Sequence, residues 1–513
     1  MTQSMNRRSF LGLGALGALA AGAGLVGCAP KAPSAPAANA DSLSDTGKAE
    51  SEGIARKEGK ETKECDVAVV GAGAAGLMAA FSLARGGKKV VVIEVGPSAA
   101  ISNFAMCGGP TACETRLQEQ ENATVTLEQI FTYMNDFSRG SVNSALLRNC
   151  LAHTGEAINS MLDLGIEMEL IPDTYGVGFR GRHMIMADPQ QRTDPFVADI
   201  EANGGEFLFK TKAEKIIMED GAVAGVQTDA GIDVMAPAVV VCTGGFGGNE
   251  EIVAEQGWNT DGMRIVGSPN AAGDGYRIAM DNGACSFMAD SAQSILYAIE
   301  AFPPIDFHDA AENPLYGYFG IASGGPVLWV NEACRRYTRE DLANDNLALQ
   351  CLPGKGNKGN YVVFDQAIFD RFFGKNDDAK KAFYDAIKAN GGGSIYQSDS
   401  LADLAGRFNL DADALKAAVD CYNELCGEGA DSDFGKAAGL MAPIETPPFY
   451  LAKLSYNYFF SVGGITTDGR HRVLDGRRNP IEGLYAIGND GNMLYRNVYT
   501  INMPGVAFGH QVN

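Results

Sequence analysis

The sequence predicts an α/β fold in which a doubly wound parallel sheet is interrupted by a second domain of different texture. Three observations lead there. In "CDVAVVGAGAAGLMAAFSLARGGKKVVVIE", residues 65–94, an apolar strand runs into Gly71-x-Gly73-x-x-Gly76. Leu77–Arg85 has helical spacing, with Ala74 and Ala75 of the preceding turn as cofactor-binding candidates; Gly86-Gly87 ends the helix, and a second strand closes at Glu94. Two more apolar runs meet glycines, "VVVCTGGFGGN" at 239–249 and "GLYAIGN" at 483–489, while "NAAGDGYRIAMDNGA" at 270–284 is a glycine turn opening a helix. The stretch 207–228 reads as strand and hairpin with Asp220-Gly221 as the turn. Between 288 and 455 the pattern changes, and apolar spacing predicts helices over 361–373, 379–390, 399–407 and 411–426.

With 513 residues there is room for two or three domains and a large core. A formal charge of −22, without any Lys/Arg block, excludes nucleic acid as a partner. Five histidines without HxxxH spacing argue against a histidine-built metal site, so no metal ligand is assigned. The eleven cysteines contain no CxxC or CxxCH; buried thiols are the reading preferred over pairs such as Cys107/Cys113 or Cys421/Cys426. At the start, Arg7-Arg8-Ser9-Phe10-Leu11 and a weakly apolar Gly/Ala/Leu run resemble a twin-arginine export signal. Leu25-Val26-Gly27-Cys28 resembles a lipobox, with Cys28 as the lipidated residue. The Ala/Pro/Ser-rich and then charged stretch 29–62 reads as a flexible tether. The expected location is the outer face of the cytoplasmic membrane.

Each glycine of the first motif has a task. Gly71 permits the tight turn, Gly73 lets backbone approach a pyrophosphate, and Gly76 lets helix pack on strand. The helix N-terminus offers N–H groups to phosphate, and Glu94 can accept ribose hydroxyls. These residues alone leave the choice between NAD and FAD open. The segments "VVGAGAAGL", "CTGGFGGN", "AGDG…A…GA", "GGITTDG" and "GLYAIGN", in this order, resemble the flavoprotein subunits of the fumarate reductase, succinate dehydrogenase and flavocytochrome c family. The resemblance spans residues 64–513 and implies FAD, held by a Rossmann-like FAD-binding domain with an inserted α+β capping domain. It places the FAD-binding domain at 63–287 and 456–513, and the cap at 288–455. It implies cofactor contacts from Thr243, Gly244, Gly245, Asp274, Gly488 and Asn489, and from Ser102, Asn103, Gly108 and Gly109 in "SNFAMCGGPTA". Gly505 and Val506 would open a helix whose dipole faces the flavin's N1–C2=O edge.

The chain departs from that family where its substrates are held. Laying "VNEACRRYTREDLAND" on the family's motif puts Asn344 at the catalytic arginine, and Phe459 or Phe460 at a carboxylate-binding histidine. "ADSAQSI" stands where the second family histidine belongs. The family's carboxylate-binding arginine falls on Tyr499, or on Asn502 if the following helix sets the alignment. Diacids need such cations, so fumarate is not the expected acceptor. A phenol polarises a carbonyl without adding a full charge and can pass a proton, as tyrosine does in the similar 3-ketosteroid dehydrogenases. Arg339 or Glu340 would refill it. The alternatives are a packing aromatic for Tyr499, a solvated helix start for Arg339, Glu340 and Asp341, and an ordinary helix residue for Asn344. Tyr316 and Tyr318 are candidate pocket or cap-surface residues.

The expected function is reduction of an activated C=C bond in an aryl-enoate or enone, in extracytoplasmic anaerobic respiration. Electrons would come from a separate membrane-linked haem or flavin protein, since one dinucleotide motif and no CxxCH are present. The alternatives are a cyclic-ketone dehydrogenase and a non-catalytic electron-relay flavoprotein.

Overall fold

The computed structural model describes residues 61–106, 109–173, 176–287, 293–302, 324–342, 350–374, 376–391, 393–495, 499, 503 and 505. The chain divides into two units, Met1–Lys57 and Glu58–Asn513, and every described residue belongs to the second. The export leader, Cys28, the tether up to residue 60, Cys107, Gly108, Tyr316, Tyr318, Asn344, Asn502 and Val506 lie outside the described residues.

A six-stranded sheet carries the predicted dinucleotide motif. Its order is Arg472–Leu474, Pro480–Ala486, Ala238–Val241, Val67–Val70, Val90–Glu94, Glu206–Phe209, all parallel except the first strand. The central strands are apolar throughout because both faces are covered. One face packs on the helices Ala74–Arg85, Ser144–Asp163 and Pro189–Ala202 through Leu77, Phe81, Ile158 and Phe196. The other packs on a four-stranded sheet through Val226 and Val234. In that smaller sheet Ala213–Glu219 and Ala222–Thr228 form the predicted hairpin. Its turn has φ of 50° at Asp220 and 82° at Gly221, the paired positive values that match strand twist. Glu61–Glu64 pairs with Ile232–Met235 at its edge. Glu61 and Thr62, expected in the tether, are therefore strand residues, fixed by backbone pairing that composition does not reveal.

The second six-stranded sheet is built around one long strand, Phe449–Ser461. Asn360–Asp365 and Arg264–Ile265 pair with it along one edge, and Gln293–Ile299 and Ile395–Ser398 along the other. Leu328–Asn331 extends the sheet beyond Asn360–Asp365. The helices Gln366–Phe373, Asp377–Asn390, Leu401–Arg407 and Ala412–Glu428 share its core. Three of the four expected helices appear with ends shifted by a few residues. The fourth, over 361–373, is corrected: Asn360–Asp365 is a strand and the helix begins at Gln366. Val362, Val363 and Phe364 are all buried, since this strand is sandwiched within the sheet, and a run covered on both faces carries no period-2 signal. The junction expected between 455 and 456 falls inside Phe449–Ser461.

Candidate functional site

The C-terminal ends of three parallel strands, Val67–Val70, Ala238–Val241 and Pro480–Ala486, lie side by side, and each runs into a glycine turn. That is where open α/β sheets bind ligands. Gly71 has φ +111°, and a Cβ there would sit 2.4 Å from the Cys242 carbonyl oxygen. A Cβ on Gly76 would be 1.8 Å from the Gly71 carbonyl oxygen. Close packing therefore dictates both glycines. Gly73 caps the helix Ala74–Arg85, and a Cβ there would meet only Ser102, at 3.6 Å, so Ser102 flanks the open side of the turn. Ala74 and Ala75 present the helix's first N–H groups.

Glu94 ends the neighbouring strand, and its carboxylate accepts from the N–H of Ala72 and of Gly96, both at 2.7 Å. These bonds fix it beside the first glycine turn. Asn103 accepts from the Ser268 N–H, and Ser268 donates to the Ile101 carbonyl at 3.1 Å, tying the 101–103 loop down. Gly109 has φ +149° and stands against the backbone of His183.

The second turn is held by a residue that sequence reasoning missed. Asp490 is fully buried, and its carboxylate accepts from Thr243 Oγ1 at 3.1 Å and the Gly244 N–H at 3.0 Å. The N–H groups of Thr243 and Gly245 add to this nest. Burial pushes the Asp490 carboxyl up to about 6, against the pull of those donors. Thr243 Oγ1 also accepts from the Gly275 N–H at 3.1 Å. Gly245 has no room for a side chain, since its Cβ would lie 2.1 Å from Ser461 Oγ. Asp274 heads the helix Asp274–Met280 but makes its ion pair with Lys212, at 2.7 Å. Gly488, at φ +60°, abuts Ala75, and Asn489 lies beside Gly245. Gly505 also has a left-handed backbone, at φ +66°. The nearest signal for Asp490 was an acid directly after Gly488-Asn489; its partners lie some 246 residues away.

Beyond the second turn the chain builds an aromatic group. Tyr499 is 8% exposed and meets Phe460 and Tyr495 edge to face, each with ring centroids 4.9 Å apart. Val462, Met493, Leu494 and Met503 pack with it, together with Ile130, Met134 and Leu147 of the helices Leu127–Phe137 and Ser144–Asp163. Phe460 also touches the glycine turn, because a Cβ on Gly247 would meet its Cα at 3.0 Å.

Arg339 and Glu340 belong to other surroundings. Glu340 is 0% exposed, and accepts from Arg336 Nε and Nη2, both at 2.9 Å, and from the Trp329 N–H at 3.2 Å. Lys436 Nζ stands 3.1 Å away. Arg336 also binds Asp431 through Nη1 at 2.9 Å and Nη2 at 2.7 Å. Burial lowers the pKa of Lys436. The Glu340 carboxylate is taken up by Arg336, Lys436 and the Trp329 N–H, so Glu340 is corrected from a proton-relay candidate to a member of this buried charge cluster. Arg339 Nε lies 3.4 Å from Asp341. The nine described cysteines are all free thiols, Cys113, Cys421 and Cys426 among them.

The trench formed by these turns suits an extended dinucleotide: glycines that admit no side chain, N–H groups at a helix start, and an oriented carboxylate at the second strand's end. The sequence pattern of the family described as FAD binding domain matches residues 66–501. A vinyl phenol reductase of Lactiplantibacillus plantarum is 26% identical over 474 residues, covering 87% of this chain and 93% of its own. An NADH:fumarate oxidoreductase of Klebsiella pneumoniae is 27% identical over 480 residues, 90% of this chain but 49% of that larger protein. Among solved structures, the open conformation of a flavocytochrome c3 fumarate reductase superposes with a TM-score of 0.62 at 20% identity, covering 88% of this chain and 78% of that one. The chain shares its fold with that reductase, belongs to the FAD binding domain family and is an FAD-dependent oxidoreductase.

Proposed function

We propose that this protein reduces the C=C bond of an aryl-substituted enoate or enone, not fumarate, outside the cytoplasm. The observation that carries the reading is the group Phe460–Tyr499–Tyr495. Aromatic faces and a phenol occupy positions where the family resemblance calls for carboxylate-binding cations, which suits a flat acceptor carrying a carbonyl. The relative named for vinyl phenol, another aryl alkene, supports the same class.

The turns at 71–76, 243–245 and 488–489, with Glu94, would hold FAD, Asp490 acting through the second turn. Bound FAD supplies a hydride equivalent for the β-carbon of the acceptor. Tyr499 either donates a hydrogen bond that polarises the acceptor carbonyl or gives its proton to the α-carbon, while Phe460 and Tyr495 keep water from it. Electrons would arrive from a separate membrane-linked haem or flavin protein, with Cys28 as the lipid anchor after twin-arginine export.

The test is anaerobic: dithionite-reduced protein is mixed with a panel of aryl enoates, enones, vinyl phenol and fumarate, and flavin reoxidation is followed. Aryl acceptors should reoxidise it, and Tyr499→Phe should slow this about 100-fold with FAD retained. Rapid turnover of fumarate, or full activity in Tyr499→Phe, would remove the reading. Dehydrogenation of a cyclic ketone with a high-potential dye, faster than any reduction, would reverse the direction.

A further inference from the structure

Asn492 is only 1% exposed. Its Nδ2 donates to the Ser461 carbonyl at 3.5 Å, which identifies the nitrogen end of the amide and turns Oδ1 the other way. Among the described residues, Oδ1 has no hydrogen-bond partner. A buried carbonyl-type oxygen without a donor is uncommon in a folded chain, because nothing offsets its lost hydration.

Its surroundings suggest what satisfies it. The Ser461 hydroxyl accepts from the Phe246 N–H of the second glycine turn at 3.2 Å. Phe460, next to Ser461, touches Tyr499. Asn492 itself leads directly into Met493, Leu494 and Tyr495 of the same apolar group. Asn492 thus stands between the second glycine turn and the aromatic group.

We propose that Asn492 Oδ1 accepts a hydrogen bond from a neutral N–H or O–H donor on a planar ring bound at this junction, making Asn492 a specificity-determining residue of the site. Two rings carry such a donor: the flavin, through its imide N–H, and a hydroxyaryl acceptor, through its phenol. The second source rests on the function proposed above. Either way, an anionic group is disfavoured at this point, because it would face an oxygen lone pair in dry surroundings.

The experiment compares two ligand pairs on the purified protein and on Asn492→Leu, which keeps the branched shape and removes the acceptor together with the Nδ2 donor. The first pair is FAD and 3-methyl-FAD, which lacks the imide N–H, with affinity measured by fluorescence titration of the apoprotein. The second is vinyl phenol and its methyl ether, bound to the oxidised holoprotein and followed by perturbation of the flavin absorbance. One pair should be discriminated about tenfold by the unchanged protein, and Asn492→Leu should abolish that preference. Discrimination in the first pair assigns the flavin as donor; in the second, the acceptor. If the unchanged protein discriminates neither pair, or if Asn492→Leu discriminates as well as the unchanged protein, the proposal is overturned. If the variant does not fold, the unchanged protein alone still decides whether a donor is read. These are binding measurements, so an absence of turnover with every alkene would refute the proposed function without touching this result.

Discussion

Replacing Glu340 by glutamine separates a structural role from a catalytic one. Glu340 and Lys436 have side chains at 0% exposure, and Glu340 gathers two bonds from Arg336, one from the Trp329 N–H and the Lys436 ammonium. Glutamine keeps the shape but removes the charge, leaving Lys436 with only the Val327 carbonyl at 2.7 Å and the Tyr422 hydroxyl at 2.9 Å. Breaking one partner of a buried charge set costs about 3–5 kcal/mol. For a chain of 513 residues, an unfolding entropy of about 1.1 kcal/mol per degree turns that into a loss of about 3–5 °C in Tm. The loss should depend on pH. Burial already lowers the Lys436 pKa, and the Glu340 charge opposes that, so the variant's lysine drops further. A lysine with a lowered folded-state pKa binds fewer protons folded than unfolded, so stability rises with pH between that pKa and the ordinary 10.5. Scanning calorimetry should therefore find a larger deficit at pH 6 than at pH 9. Single-turnover reoxidation of the reduced flavin should stay within about twofold of the unchanged protein, since no reacting atom is touched. Unchanged Tm with a large drop in that rate would refute the reasoning and return Glu340 to the proton path.

Three other outcomes are expected. Gly71→Ala forces a Cβ to 2.4 Å from the Cys242 carbonyl at a φ of +111°, so the variant should purify with less than a tenth of the bound flavin absorbance; full occupancy would contradict the trench assignment. Asp490, pushed by burial from 3.8 to about 6, binds more protons folded than unfolded in that interval, so its contribution to stability falls as pH rises through it. The difference in unfolding free energy between Asp490→Asn and the unchanged protein should move by about 2 kcal/mol in the variant's favour from pH 4 to pH 6.5, and a flat difference would refute the buried-acid account. Tyr499→Phe should retain FAD and lose about two orders of magnitude in reoxidation rate, read by stopped-flow absorbance.

The parts of the site that sequence exposes are those whose causes are local. Gly71, Gly73 and Gly76 announce a cradle because their spacing between one strand and one helix is visible within a dozen residues, although Cys242, which presses on Gly71, comes from far along the chain; Glu94 follows at the end of the next strand. Asp220-Gly221 is legible for the same reason. Asp490 is not, because only the meeting of two distant turns gives an aspartate its nest of N–H groups. Glu340 reads as a charged helix start until Lys436 and Asp431 arrive from almost a hundred residues further on. The stretch 361–364 shows the limit of periodicity: a strand buried on both faces and a buried helix turn offer the same apolar run.

The strand Phe449–Ser461 has a mechanical consequence. It is laced to four other strands along its length, and its last two residues press against Tyr499 and the second glycine turn. A swing of one part of the molecule against the other cannot bend this beam midway without tearing its ladders. The chain just beyond it is pinned as well, since Gly464 lies so close to the Asp490 backbone that a Cβ would fall 2.2 Å from its carbonyl oxygen. The pose of Phe460 is then set by the stiffness of that sheet, and loosening its ladders should trade the fidelity of ligand alignment against the speed of ligand entry.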